Sequence, residues 1–138
     1  NQVPAHLTMF HSLPPSAEDE ARRILSRAAS GPAPIAAIAG VRDLGGGVAF
    51  TVVSEDLDAL REDIAGQLHG LLTAQDVGGW VPHVTIQNKV APKIARELKR
   101  RLEEGFEPRV LRIAGLGLHR YLGGPWETLQ RWSFRRAS

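Results

Sequence analysis

The stretch VPAHLTM at residues 3–9 returns in altered form as WVPHVTI at residues 80–86, each time with a His, an apolar residue and a Thr in that order. In an extended strand, side chains two apart share a face and the residue between them points the other way. His6 and Thr8 therefore project together while Leu7 and Met9 face a core, and His83 and Thr85 do the same over Val84 and Ile86. Each copy presents an imidazole beside a hydroxyl. If the halves that carry them pack about a pseudo-twofold axis, the two pairs converge across one groove.

Around the first copy, residues 3–13 read as a strand ended by Pro14 and Pro15. Ser16 offers an N-cap to a helix with Glu18, Asp19 and Glu20 in its first turn and Ala17, Ala21, Ile24, Leu25 and Ala28 on one face. Two apolar runs, 35–41 and 48–53, flank a Gly-rich link and predict a β-hairpin. Residues 54–56 then cap a helix whose Leu57, Leu60, Ile64, Leu68 and Leu71 recur at helical spacing.

The second copy sits in a strand over 81–90, followed by a helix opened by Pro92, with Ile94, Ala95, Leu98 and Leu102 inward and Gly105 at its end. Residues 110–122 and 126–134 predict a closing hairpin around Gly123, Gly124 and Pro125. The order is β, α, β, β, α, β, α, β, β. Both halves, about 1–72 and 78–138, hold a motif strand, a helix and a hairpin, so the chain reads as one α+β domain over 1–138 with a degenerate structural repeat.

At 138 residues and 43% hydrophobic composition, one compact domain is expected, and 23% charged residues place it among ordinary soluble proteins. The net charge is only +2, but Arg outnumbers Lys and much of the basic charge falls in the second half, which favours an anionic ligand. Without cysteine, neither a disulfide framework nor a zinc-finger spacing exists. The longest apolar run falls far short of the roughly 20 residues that span a bilayer. No signal peptide is visible, and a cytoplasmic monomer is the default expectation.

Two imidazoles facing each other supply what in-line displacement at phosphorus requires. One accepts a proton from the attacking oxygen and the other gives one to the leaving oxygen, each transfer contributing about 10² to 10⁴ in rate. The two Thr hydroxyls can hold non-bridging phosphate oxygens between them. The plainer alternative is that both histidines are edge-of-core residues satisfied by local backbone, since strands favour Thr and apolar neighbours in any case.

Further candidates follow from the same alternation. Lys89 shares strand parity with Thr85 and could meet a phosphate or be a solvated strand-end lysine, while Phe10 beside Thr8 could stack on a base or belong to the core. His11 faces away from His6 and reads as structural, and His69 as surface. In GLGLHRY, residues 115–121, Tyr121 could stack on a ligand and His119 or Arg120 contact a phosphate, although alternation forbids all three from facing one cleft. Trp126 and Trp132 read as a core stripe, and the basic helix over 93–101 as a solvated face interrupted by Glu97.

With its paired tetrapeptides His6-Leu7-Thr8-Met9 and His83-Val84-Thr85-Ile86, the chain resembles the two-histidine (2H) phosphoesterase superfamily, and within it the 2'-5' RNA ligase-like branch. The resemblance covers nearly the whole chain. It implies a bilobal fold in which two antiparallel sheets with flanking helices enclose a central cleft. It also implies hydrolysis of RNA 2',3'-cyclic ends or small cyclic nucleotides, or joining of RNA ends through 2'-5' linkages, without metal or other cofactor. His6 and His83 would then be the acid/base pair and Thr8 and Thr85 the phosphate ligands; a non-catalytic RNA or nucleotide binder using the same cleft is the rival reading, and a small non-nucleotide cyclic phosphodiester a third kind of substrate. Relatives place a strand and a helix before the first motif, whereas five residues precede His6 here.

Overall fold

The computed structural model describes residues 5–121, 123 and 126–135; Val3, Leu122, Gly124, Pro125 and Arg136 lie outside them. The fold is α+β. Its larger sheet is antiparallel in the order β3 (His83–Gln87), β2 (Val48–Val53), β1 (Ile35–Asp43), β4 (Arg109–Arg112), and its smaller one pairs β5 (Gly115–Tyr121) with β6 (Trp126–Ser133). Helices α2 (Glu55–Gln67) and α4 (Pro92–Glu103) pack on the larger sheet, and α1 (Glu18–Ala29) on the smaller. The two halves of the sequence interleave: strands of the second half flank both sides of the first half's hairpin.

Local chemistry fixes the hairpin. Asp43 Oδ1 accepts from the Gly45 amide at 2.7 Å, Gly45 takes φ 87° as few other residues can, and Leu44 N donates to Gly47 O. A Cβ on Gly47 would stand 2.1 Å from Gln87 O, so only glycine lets β3 lie against this turn. Ser54 Oγ accepts from Leu57 N to cap α2, an interaction of about 1 kcal/mol, and donates to Ile35 O, tying the helix to β1.

Ile24 of α1 meets Ile64 of α2 and Leu68 just beyond it in one buried cluster, and Ala29, Leu116 and Phe134 join α1 to the smaller sheet in a second. Trp132 packs against the second cluster, whereas Trp126 is exposed and leaves the expected stripe.

Several expectations need correction. Ser16 does not cap α1: a 3-10 turn, Pro15–Ala17, leads into the helix, and its N-cap Ala17 offers no side-chain bond. Leu71 lies past the end of α2, Ile94 is exposed on α4, and a short helix α3 (Ala74–Val77) went unread. The strand expected over 110–122 is two strands in different sheets. The break falls after Arg112, and Gly115 then approaches β6 so closely that a Cβ would meet Trp132 O at 2.1 Å. In place of a strand over 3–13, the described residues show one bridge, Leu7 to Val84. The Thr8 and Met9 carbonyls and the His11 and Ser12 amides bond to side chains instead of a ladder.

Candidate functional site

The Leu7–Val84 bridge is antiparallel and joins the middle residue of one motif to the middle residue of the other. Ladder geometry continued one residue each way from that bridge would put His6 opposite Thr85 and Thr8 opposite His83, all four on one face. Opposed residues in such a pair have Cβ atoms about 5 Å apart and diagonal ones about 7–8 Å, so in that geometry the two histidines would occupy the diagonal of a small square. A local twofold axis through the bridge relates one motif to the other.

Strand β2 extends this face. Thr51 pairs with His83 and Ala49 with Thr85. From Thr51 the same face runs to Val53 and, through the partners of Ala37, to Val110. The opposite face buries Ala36, Ile38 and Val52. The motif face is open at its β1–β4 side, with Val53 56% and Val110 83% exposed, while Ala49 beside Thr85 is fully buried.

His83 is half-buried, and its Nδ1 lies 2.9 Å from Val81 O. A carbonyl only accepts, so this contact places a proton on Nδ1 and, in the neutral ring, leaves the Nε2 lone pair available.

The first motif is held by a cluster that sequence reading missed. Trp80 Nε1 donates to Thr8 O at 3.1 Å and Arg61 Nε to Met9 O at 2.9 Å. The Arg61 guanidinium also donates to Asp76 O at 2.7 Å and lies over the rings of Phe10 and Trp80. The Asp76 side chain is fully buried and accepts from the His11 and Ser12 amides at 2.9–3.1 Å and from His11 Nδ1 at 3.0 Å. Burial pushes the Asp76 carboxyl up, but these donors outweigh it and hold the group below its ordinary value. His11 is held by Asp76 through both its amide and its ring, a contact that strand parity does not explain because this segment forms no strand. Trp80 stands three residues before His83, so the approach to one motif is bonded to the backbone of the other.

A cavity of about 690 Å³ opens beside the first motif; among its lining are His6, Thr8, Phe10, His119, Arg120 and Trp126. His83 and Thr85 do not line it but stand on the strand next to its Leu7–Val84 wall. Phe10 also packs against the core. His119 and Arg120, adjacent in sequence, both line the cavity, and the β-bulge opposite Leu118 and His119 places its extra residue, Leu129, on β6. Gly117 makes room for the His119 ring, whose Nε2 would lie 2.9 Å from an added Cβ. Arg120 is engaged by Glu18 at 3.0 Å and Glu127 at 3.3 Å.

Tyr121 is exposed and packs on Trp126 at 4.9 Å between ring centroids, outside the cavity lining. Lys89 falls beyond the end of β3 in a left-handed conformation, φ 56°, so the alternation that paired it with Thr85 does not extend to it. On α4, Lys99 and Arg100 pair with Glu103 and Glu104, as a solvated face does.

Burial, then the neighbouring charges of His6 and Arg131, lower the pKa of His119 from its ordinary 6.5. The unfolded chain therefore binds its proton first as pH falls through 6.5, and stability declines from there down to the folded value. An NMR titration of the ring carbons is expected to give His119 a midpoint below 6.5.

Among the described residues, no helix is long and apolar enough to cross a membrane, and no three His, Cys, Asp or Glu side chains gather as a metal site would require. The sequence model of the 2'-5' RNA ligase superfamily matches residues 1–125. No curated protein matches the chain.

Proposed function

Because the chain belongs to the 2'-5' RNA ligase superfamily, we propose that its two His-x-Thr motifs form the active site of a phosphodiesterase acting on 2',3'-cyclic phosphate or 2'-5' linked ribonucleotides. The observation that supports this best is the bridge between the two middle residues, because antiparallel pairing through it would bring the imidazoles diagonally across one face with a hydroxyl beside each. In-line displacement needs that arrangement: proton acceptor and proton donor on opposite sides of phosphorus, with donors to the oxygens between.

His83 is assigned as base, since its Nδ1 contact leaves Nε2 as the acceptor. In hydrolysis a water oxygen bonds to phosphorus while His83 takes its proton, the bond from phosphorus to a ribose oxygen breaks, and protonated His6 gives that oxygen a proton. Thr8 and Thr85 donate to the non-bridging oxygens as charge grows there. With an RNA 5'-hydroxyl in place of water, the same groups run 2'-5' ligation. His119 and Phe10, in the cavity beside His6, are assigned to the nucleoside part of the substrate.

Incubation with 2',3'-cyclic nucleotides in EDTA tests the reading. A single nucleoside monophosphate product and a bell-shaped pH dependence are expected. Tight binding without product would make the protein a nucleotide binder and end the catalytic assignment.

A further inference from the structure

The open face of the larger sheet carries a cation that neither motif reveals. Arg42 pairs with Ala49, and Ala49 pairs with Thr85, so the three form one row across β1, β2 and β3. Paired residues share a face. Arg42 therefore projects on the side of Thr85 and His83, two strands away, or about 10 Å between backbones.

Nothing in that row competes for it. Ala49 between them is fully buried and is only a methyl, while Arg42 and Thr85 are both exposed. In the next row Gly40 pairs with Thr51, and a Cβ added there would meet nothing within 4 Å. Among the described residues Arg42 forms no ion pair. Its neighbour Asp43 pairs with Val48 and spends Oδ1 on the Gly45 amide. The partners that continue this face, Thr51, Val53, Ala37 and Val110, include no carboxylate. Arg112, two residues beyond Val110 on β4, is the other cation on this face among the described residues and stands at its far edge. The exposed Arg42 guanidinium, beside a phosphate-ready hydroxyl, is suited to a second anionic group, which its planar fork can take in two bonds.

We infer that Arg42 holds a second phosphate of the substrate, the internucleotide phosphate next to the reacting one, and so directs the site toward RNA ends over isolated cyclic nucleotides. The inference rests on the proposed phosphodiesterase reading of the two motifs. The strand would run from the motif square across β2 toward β1.

The test compares Arg42→Gln with wild type on three ligands: a cyclic mononucleotide, the same nucleotide carrying a 5'-phosphate, and a dinucleotide ending in a 2',3'-cyclic phosphate. A lost charge-assisted contact of this kind corresponds to about a 10- to 100-fold change. The expected result is a rise of that size in KM for the dinucleotide, with kcat/KM for the cyclic mononucleotide, which has no second phosphate, equal in the two proteins. A rise confined to the 5'-phosphorylated mononucleotide would overturn the internucleotide assignment. An equal loss on all three, or none on any, would overturn the subsite. If wild type turns over none of them, the phosphodiesterase reading falls, and fluorescence anisotropy with the labelled dinucleotide decides the subsite separately: weaker binding to Arg42→Gln supports it and equal binding overturns it.

Discussion

Replacing His83 by Ala is expected to lower kcat on a 2',3'-cyclic nucleotide by about 10² to 10⁴, with little change in KM or thermal stability. The imidazole Nδ1 bonds to Val81 O two residues before it, so its loss releases no distant element. The hydroxyls that would hold the phosphate stay in place, and ground-state binding survives. His6→Ala should produce a loss of similar size. The pH profile separates the two roles: without the base the acidic limb of the bell disappears, without the acid the alkaline limb does. Full activity in either variant would remove the two-histidine mechanism.

The legible part of this site was its local part. Alternation within each motif requires only that the backbone be extended, and the hairpin of β1 and β2 carries its own turn chemistry in Asp43 and Gly45. Pro92 likewise marks the start of α4. What the sequence hid was long-range. Asp76 reaches His11 and Ser12 across more than sixty positions, and a contact between a side chain and distant backbone leaves no periodic trace. The same holds for Arg42, whose place beside Thr85 follows from the register of three strands. Lys89 and the strand over 110–122 failed where a regular period was extended past a turn, because parity carries no information once the strand has ended.

Substituting Asp76 by Ala is expected to cost about 3 kcal/mol of stability, or about 10 °C in Tm, and most of the activity at temperatures where the variant remains folded. The carboxylate is fully buried and serves two backbone amides and one ring nitrogen, which lose their acceptor together. Those amides belong to the segment that follows Thr8, already pinned at Thr8 O by Trp80 and at Met9 O by Arg61. Freeing it lets His6 and Thr8 move relative to His83, and a misplacement of about 1 Å at reacting groups can cost about 10²-fold in rate. The pH dependence gives an independent readout. Because the folded state holds the Asp76 pKa below its ordinary 3.8, its contribution is complete above that value and is lost as pH falls through the lower folded value. Thermal melts of wild type should therefore show Tm dropping below pH 3.8, and Asp76→Asn, with no charge to neutralise, should flatten that part of the curve while starting from a lower Tm. A variant with wild-type Tm and kcat would mean that Arg61 and Trp80 hold the first motif without help from Asp76.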